Sequence, residues 1–302
     1  MENIYRYQRI EGKYIPGIIQ NGNYFFTTVA LYEDGVINCW EKVEFHDIKK
    51  VIDRDWLCCE VPNGRNFSIF EVGYYTIKSA KWKYNKDTYY ESIIENIKEL
   101  NPYIEEIDKI VRKIPKEDYK EVMMIITSTP FKMEYESKIY NRFDGDDTFI
   151  FYNFKGNLYL TTLVAYKDKT FKIGMLENKY FSLEEIKDMF DKNILTTEVK
   201  DKFFIKDFAE IEIESTIYFV EKSQKFKEIE DMMKKVCGEK TTIELCKEAY
   251  FEYLANPYDY TKEKLRKAYE AVPKHERMYL GDMDSKDWDY QRILYSDKKR
   301  EV

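Results

Sequence analysis

The densest group of residues able to do chemistry lies near the end of the chain, where Asp282, Asp284, Asp287 and Asp289 follow one another closely. Carboxylate oxygens at that density suit a hard cation such as Ca²⁺ or Mg²⁺. A calcium loop also needs Gly at its sixth position and Glu at its twelfth, and counted from Asp282 those places hold Asp287 and Ile293. On a helix, Asp282 and Asp289 share one face and Asp284 and Asp287 another. Solvated charges and caps around a turn at Gly281 are the expectation, with no metal ion and no cofactor. There are two histidines, His46 and His275. His46 stands beside Asp47 at the start of a short helix. An acid–base site needs a partner within hydrogen-bond reach, and the local sequence supplies none.

Other chemistry is absent by motif. There is no Walker loop, dinucleotide glycine turn, Gly-x-Ser-x-Gly elbow or His-Glu-x-x-His helix. The five cysteines (Cys39, Cys58, Cys59, Cys237, Cys246) form no Cys-x-x-Cys pair, so neither a zinc ribbon nor a redox pair is supported. Recognition is the remaining use for conspicuous side chains. Trp40, Trp56 and Trp82 punctuate the first part of the chain, and Trp288 lies in the acidic tail. These tryptophans, with Asp282, Asp284 and Asp287, are the candidate partner-binding residues, since aromatic side chains supply large contact area.

What positions these groups is a fold unit written twice. Gly22-Asn23-Tyr24-Phe25-Phe26-Thr27-Thr28-Val29-Ala30-Leu31-Tyr32-Glu33-Asp34 parallels Gly156-Asn157-Leu158-Tyr159-Leu160-Thr161-Thr162-Leu163-Val164-Ala165-Tyr166-Lys167-Asp168 at an offset of 134. Ile48-Lys49, Asp53 and Glu60-Val61 recur as Ile186-Lys187, Asp191 and Glu198-Val199 at 138, and Ile77 and Ser79 as Ile213 and Ser215 at 136. Small drifts in offset are what loop insertions produce. At His46 the second copy carries Glu184.

Each copy reads strand, turn, strand, short helix, then two or three more strands. Asp34-Gly35 is a good hairpin signal; Asp168-Lys169 lacks the glycine, which leaves the second turn's type open. The helices are marked by Phe45, Ile48, Val51 and Ile52, and by Leu183, Ile186, Met189 and Phe190, with Ser182 and Glu185 a capping box. The closing strands are 56–61, 66–71 and 74–82, then 194–199, 202–205 and 210–219. Helical patterns over 89–100 and 103–111, and an ambiguous apolar run over 121–126, connect the copies. Helices over 225–236, 242–254 and 261–272 follow, the last capped by Thr261.

The fold class is therefore α+β: two tandem related antiparallel-sheet domains, each with a short helix, plus inter-domain helices and a helical C-terminal module. The expected boundaries are 1–86, 87–147, 148–222 and 223–302.

Composition narrows the function classes. With 44% hydrophobic and 35% charged residues in 302, the chain is foldable and long enough for more than one core. A formal net charge of −7 disfavours nucleic acid and suits a basic protein partner. No apolar run approaches the roughly 20 residues that span a bilayer, and the first residues lack a signal-peptide core, so no membrane association and a cytoplasmic location are expected.

The stretch Ile15-Pro16-Gly17-Ile18-Ile19-Gln20-Asn21-Gly22-Asn23-Tyr24-Phe25-Phe26-Thr27-Thr28, continued by 32–41, resembles a bacterial domain family with no assigned activity. The likeness covers about the first 85 residues and, more weakly, the second copy. Residues 271–287 resemble a short module attached to various bacterial proteins. Neither resemblance brings a catalytic residue; together they imply a modular bacterial cytosolic protein. A non-enzymatic interaction protein, in an immunity or regulatory setting, is the expected function. The alternatives are a small-molecule sensor with a cleft between the copies, and a hydrolase, for which His46 or the tail carboxylates are the candidates.

Overall fold

A computed structural model describes residues 10–106, 135–137, 145–176, 178–281 and 286–296. Asp282 and Asp284, most of the helical connector and the ambiguous run 121–126 lie outside the described residues. Two compact units divide the chain: residues 1–68, 80–142 and 207–209, and residues 69–79, 143–206 and 210–302.

In the first unit, β1 (Ile10–Asn21) and β2 (Asn23–Tyr32) pair antiparallel from Gly12–Tyr32 to Asn21–Asn23. The chain reverses at Gly22, whose φ of +72° suits a residue without a Cβ. Strands β3 (Val36–Cys39) and β4 (Glu41–Glu44) form a second hairpin, with Trp40 alone between them at φ +68°. A 3-10 turn at Phe45–Asp47 leads into α1 (Ile48–Asp53), whose Ile48, Val51 and Ile52 are buried. Then come β5 (Leu57–Cys58), β6 (Asn66–Ile69) and β7 (Gly73–Trp82), which starts in the second unit and ends in the first. Helix α2 (Lys86–Leu100) begins at an Asn85–Thr88 capping box and buries Tyr89, Ile93 and Ile97. A short β8 (Tyr135–Ser137) runs parallel to β1.

The second unit repeats this plan with β9 (Gly145–Phe154), β10 (Asn157–Tyr166), β11 (Phe171–Ile173), α3 (Leu183–Asp191), β12 (Leu195–Thr196), β13 (Lys202–Ile205) and β14 (Ala209–Phe219). The strand order β12-β9-β10-β13 mirrors β5-β1-β2-β6 of the first copy. Next to β13 lies β14, and next to β14 the first part of β7. The Ser182–Glu185 capping box forms as its sequence predicts. The two turns are also alike: Gly35 at φ +84° and Lys169 at φ +63° occupy equivalent places, and Asp34 and Asp168 each accept a hydrogen bond from the amide two residues on. The aspartate side chain fixes this turn, so a lysine can take the left-handed position.

Two expectations need correction. Strand β10 pairs with β13 in parallel, so the sheet is mixed rather than antiparallel. The chain must cross over through α3 to reach that register, and hairpin-based reasoning does not anticipate a crossover. Thr261 is not the cap of its helix. That helix, α6, spans Asp259–Ala271 with Tyr258 as its cap, and Thr261 bonds back to the carbonyls of Asn256 and Tyr258.

Helix α4 (Lys222–Val236) packs with α3 on β9 and β10 around Ile150, Leu163, Phe171, Ile186 and Ile229. Alternation along β13 buries Phe203 against Tyr75 and Phe151, at ring-centroid distances of 5.9 and 5.2 Å. Beyond α4, α5 (Thr242–Ala255), α6 and α7 (Trp288–Tyr295) enclose a smaller core of Cys246, Leu265, Tyr269 and Leu294. No helix among the described residues is long and apolar enough to cross a membrane. Because Phe203 fills the interior of the second unit, Phe203→Ala is expected to cost about 3–5 kcal/mol in chemical denaturation.

Candidate functional site

The second unit holds a cleft of about 470 Å³ whose floor is a buried charge network. Helix α4 supplies the centre. Its apolar stripe runs through Ile229, Met232 and Met233, and Lys225 and Glu228 lie on that inner face. The Lys225 side chain is 0% exposed and that of Glu228 5%. All three ammonium protons have acceptors: Glu228 Oε1 at 2.5 Å, Thr148 Oγ1 of β9 at 2.5 Å, and the Glu71 carbonyl at 3.1 Å. Thr148 in turn donates to Glu228 at 2.7 Å. His275, only 7% exposed, places Nε2 2.8 Å from Glu228 Oε2. An ionised carboxylate can only accept, so Nε2 carries the proton.

One lysine cannot neutralise what surrounds it. Burial alone would raise the Glu228 carboxyl; Lys225, His275 and Thr148 outweigh it and hold Glu228 below the usual carboxylate range. Glu71, on the loop before β7, has no such set of donors. Burial, followed by repulsion from Glu228, pushes its carboxyl up to about 8, and it shares a hydrogen bond with the Glu228 side chain. Glu276 is pushed up to about 7 by burial and then by Glu228 and Asp231. Asp147 is raised by burial and by its neighbour Asp146.

The outer carboxylates are matched. Lys235 lies 2.7 Å from Asp146. Asp231 receives Lys234 at 2.8 Å, caps the start of α5 through the Thr242 amide at 2.9 Å, and is bonded by the Thr242 hydroxyl. Glu71, Asp147 and Glu276 are therefore the excess. Phe70, Met232 and Ile243 supply apolar wall beside them, and Phe70 is 57% exposed at the rim.

The residues singled out from sequence fall elsewhere. Trp40 is 53% exposed and tilts against Phe25 at 5.4 Å. Trp56 lies close by, its indole donating to the Cys39 carbonyl at 3.2 Å. Trp82 packs edge-on against Phe208. Asp287 accepts from the Tyr269 hydroxyl at 2.5 Å and from the Gln291 amide, tying α6 to α7, while Trp288 is exposed on α7. His46 rests against the Phe45 ring. None of them lines the cleft. Among the described residues, no three or more His, Cys, Asp or Glu side chains gather at metal-binding spacing.

Sequence inspection missed Glu71, Glu228 and Glu276 because topology alone brings them together. One signal was available: Lys225 occupies a position in the apolar stripe of α4, where a cation requires a buried partner.

Comparison with known families matches residues 1–104 and 133–240 to a domain of unknown function, DUF7638, present twice in tandem. Residues 241–301 match a second domain of unknown function, DUF7639. Neither the curated proteins nor the solved structures include a match.

The network makes a direct prediction. Lys225→Met leaves Glu228 buried without its cation and is expected to cost about 3–5 kcal/mol in urea unfolding. The double change Lys225→Met with Glu228→Leu is expected to recover most of that loss.

Proposed function

The chain belongs to the DUF7638 family, and we propose that it is a non-enzymatic recognition protein whose second domain takes a basic side chain of a protein partner into the carboxylate cleft. The observation that carries this role is the excess of buried carboxyls over cations at Glu71, Asp147 and Glu276. A buried like-charge group can be relieved by a proton or by an arriving cation.

The walls suit an arginine or lysine in particular. Such a side chain has an apolar stem and a charged head. Phe70, Met232 and Ile243 would cover the stem while the carboxyls meet the head. A guanidinium over the Phe70 ring would add a cation–π contact. The overall charge of −7 favours approach of a basic partner over longer range. A small organic cation is the second candidate, because a cleft of about 470 Å³ lies within the range of small-molecule sites. In both cases a cytoplasmic setting and an immunity or regulatory role suit the chain.

Binding of a labelled Arg/Lys-rich peptide, followed by fluorescence anisotropy, tests the role. Affinity is expected to fall as salt rises. Combining Glu71→Gln, Asp147→Asn and Glu276→Gln is expected to weaken binding at least ~tenfold, about 1.4 kcal/mol. The same variant should melt no lower than the parent, since it removes charges whose ionisation the fold opposes. Equal peptide affinity for parent and variant rules the cleft out. Saturation by a diamine with no response to the peptide would instead assign it to a small cation.

A further inference from the structure

The 3-10 segment Lys274–Tyr279 follows α6 and brings Glu276 to the wall of the cleft. Its attachment to α4 is sparse and polar. The Lys274 amide donates to Gln224 Oε1 at 2.9 Å, and His275 donates to Glu228 at 2.8 Å. The segment's residues are half-buried or exposed as a whole, while the His275 side chain is turned inward. Two of its polar atoms, His275 Nδ1 and Glu276 Oε2, are buried without a hydrogen-bond partner. Buried polar atoms left unpaired oppose the seated state.

We propose that residues 274–279 form a proton-controlled latch, seated on α4 while Glu71 and Glu276 hold their protons and released when both ionise beside Glu228.

The charges that face one another decide the direction. Helix α4 presents Lys225, Glu228, Asp231 and Lys235; the loop before β7 presents Glu71; β9 presents Asp146 and Asp147; α5 presents Glu244; the segment itself presents His275, Glu276 and Tyr279. Lys225 is committed to Glu228, Lys234 to Asp231 and Lys235 to Asp146. With Glu71 and Glu276 protonated, Asp147 is what remains of the excess. Ionising both adds two negative charges next to Glu228 with no cation to meet them.

The seated values of about 8 for Glu71 and about 7 for Glu276 exceed the ordinary 4.5. Glu276 leaves the site with the segment and regains an ordinary carboxyl, and Glu71 loses the repulsion of Glu276, so from pH 4.5 up to about 8 the seated form binds more protons than the released form. Its stability is complete below that window and is lost as pH rises through it. The latch needs no ligand. A cation entering the cleft would meet the same excess charge that the two protons otherwise cancel.

Tryptic cleavage after Arg277 reports the seating. Rates are compared between pH 6.5 and 9 and normalised to the free peptide Ala271–Gly281, which removes the protease's own pH dependence. The normalised rate is expected to rise at least about tenfold, the change that one displaced pKa unit gives. In the Glu71→Gln, Glu276→Gln double variant it is expected to stay flat, because glutamine keeps the shape of the protonated acid without its titration. A flat profile in the parent, an equal rise in the variant, or cleavage elsewhere in the chain rising in step would overturn the latch. Because no peptide or amine is present, the outcome is independent of whether the cleft binds a basic partner.

Discussion

The buried Lys225–Glu228 pair is the constraint around which the second unit is organised. A charge of either sign at that depth is tolerated only with its partner and its remaining hydrogen bonds in place. Those requirements are met from several segments: Thr148 on β9, the Glu71 carbonyl before β7, and His275 beyond α6. Each contact ties α4 to a segment that sequence separates from it by tens of residues. The pair adds little to net stability, since an apolar pair of similar volume would fill the space at less desolvation cost. Its consequence is a floor with one cation and several carboxyls, where burial and then repulsion from Glu228 push the Glu71 and Glu276 carboxyls well above the usual carboxylate range.

Duplication makes the special character of this floor visible. Helices α2 and α4 have equal length and correspond at an offset of 136, which pairs Ile93 with Ile229 and Ile97 with Met233. Lys225 then corresponds to Tyr89 and Glu228 to Ser92. Tyr89 is almost fully buried, and its hydroxyl donates to the Pro16 carbonyl at 2.8 Å. Gly17 makes the space: a Cβ there would meet the Tyr89 oxygen at 2.8 Å. At the place of Gly17 the second copy has Ile150, and at the place of Ile15 it has Thr148. One ancestral helix–sheet contact has therefore diverged in two directions. An aromatic side chain with one satisfied hydroxyl closes the first, and an ion pair that leaves neighbouring carboxyls in excess closes the second.

The repeat, the two hairpins, the short helices and the C-terminal helices were legible because each depends on local periodicity or a local cap. Strand 202–205 was placed to the residue. Strands β1 and β9 were not seen. Pro16, Gly12 and Gly17 interrupt β1, and Gly145-Asp146-Asp147 opens β9 with residues that signal a turn. Both strands form because a long antiparallel partner, β2 or β10, holds them along their whole length. The parallel β10–β13 contact left no mark in the sequence, since the direction of a pairing is set by the crossover and not by the strand's own pattern. The candidate site was hidden for the same reason. Glu71, Glu228 and Glu276 are ordinary surface-type residues until the topology closes over them.

The network also spans a family boundary. Lys225, Glu228, Glu71 and Thr148 lie within the DUF7638 matches, whereas His275 and Glu276 lie within DUF7639. The two family segments thus share one buried charge balance, and neither holds all of its members. Deleting residues 241–301 would take away the imidazole that donates to Glu228 while leaving Lys225 in place. A change in the ionisation of Glu276, conversely, is felt by Glu228 inside the DUF7638 copy. Electrostatic coupling at short range in a buried site is strong because water cannot screen it. A positive charge placed beside Glu228 and a proton on Glu276 would act on that same balance, since both offset the one excess of carboxylate.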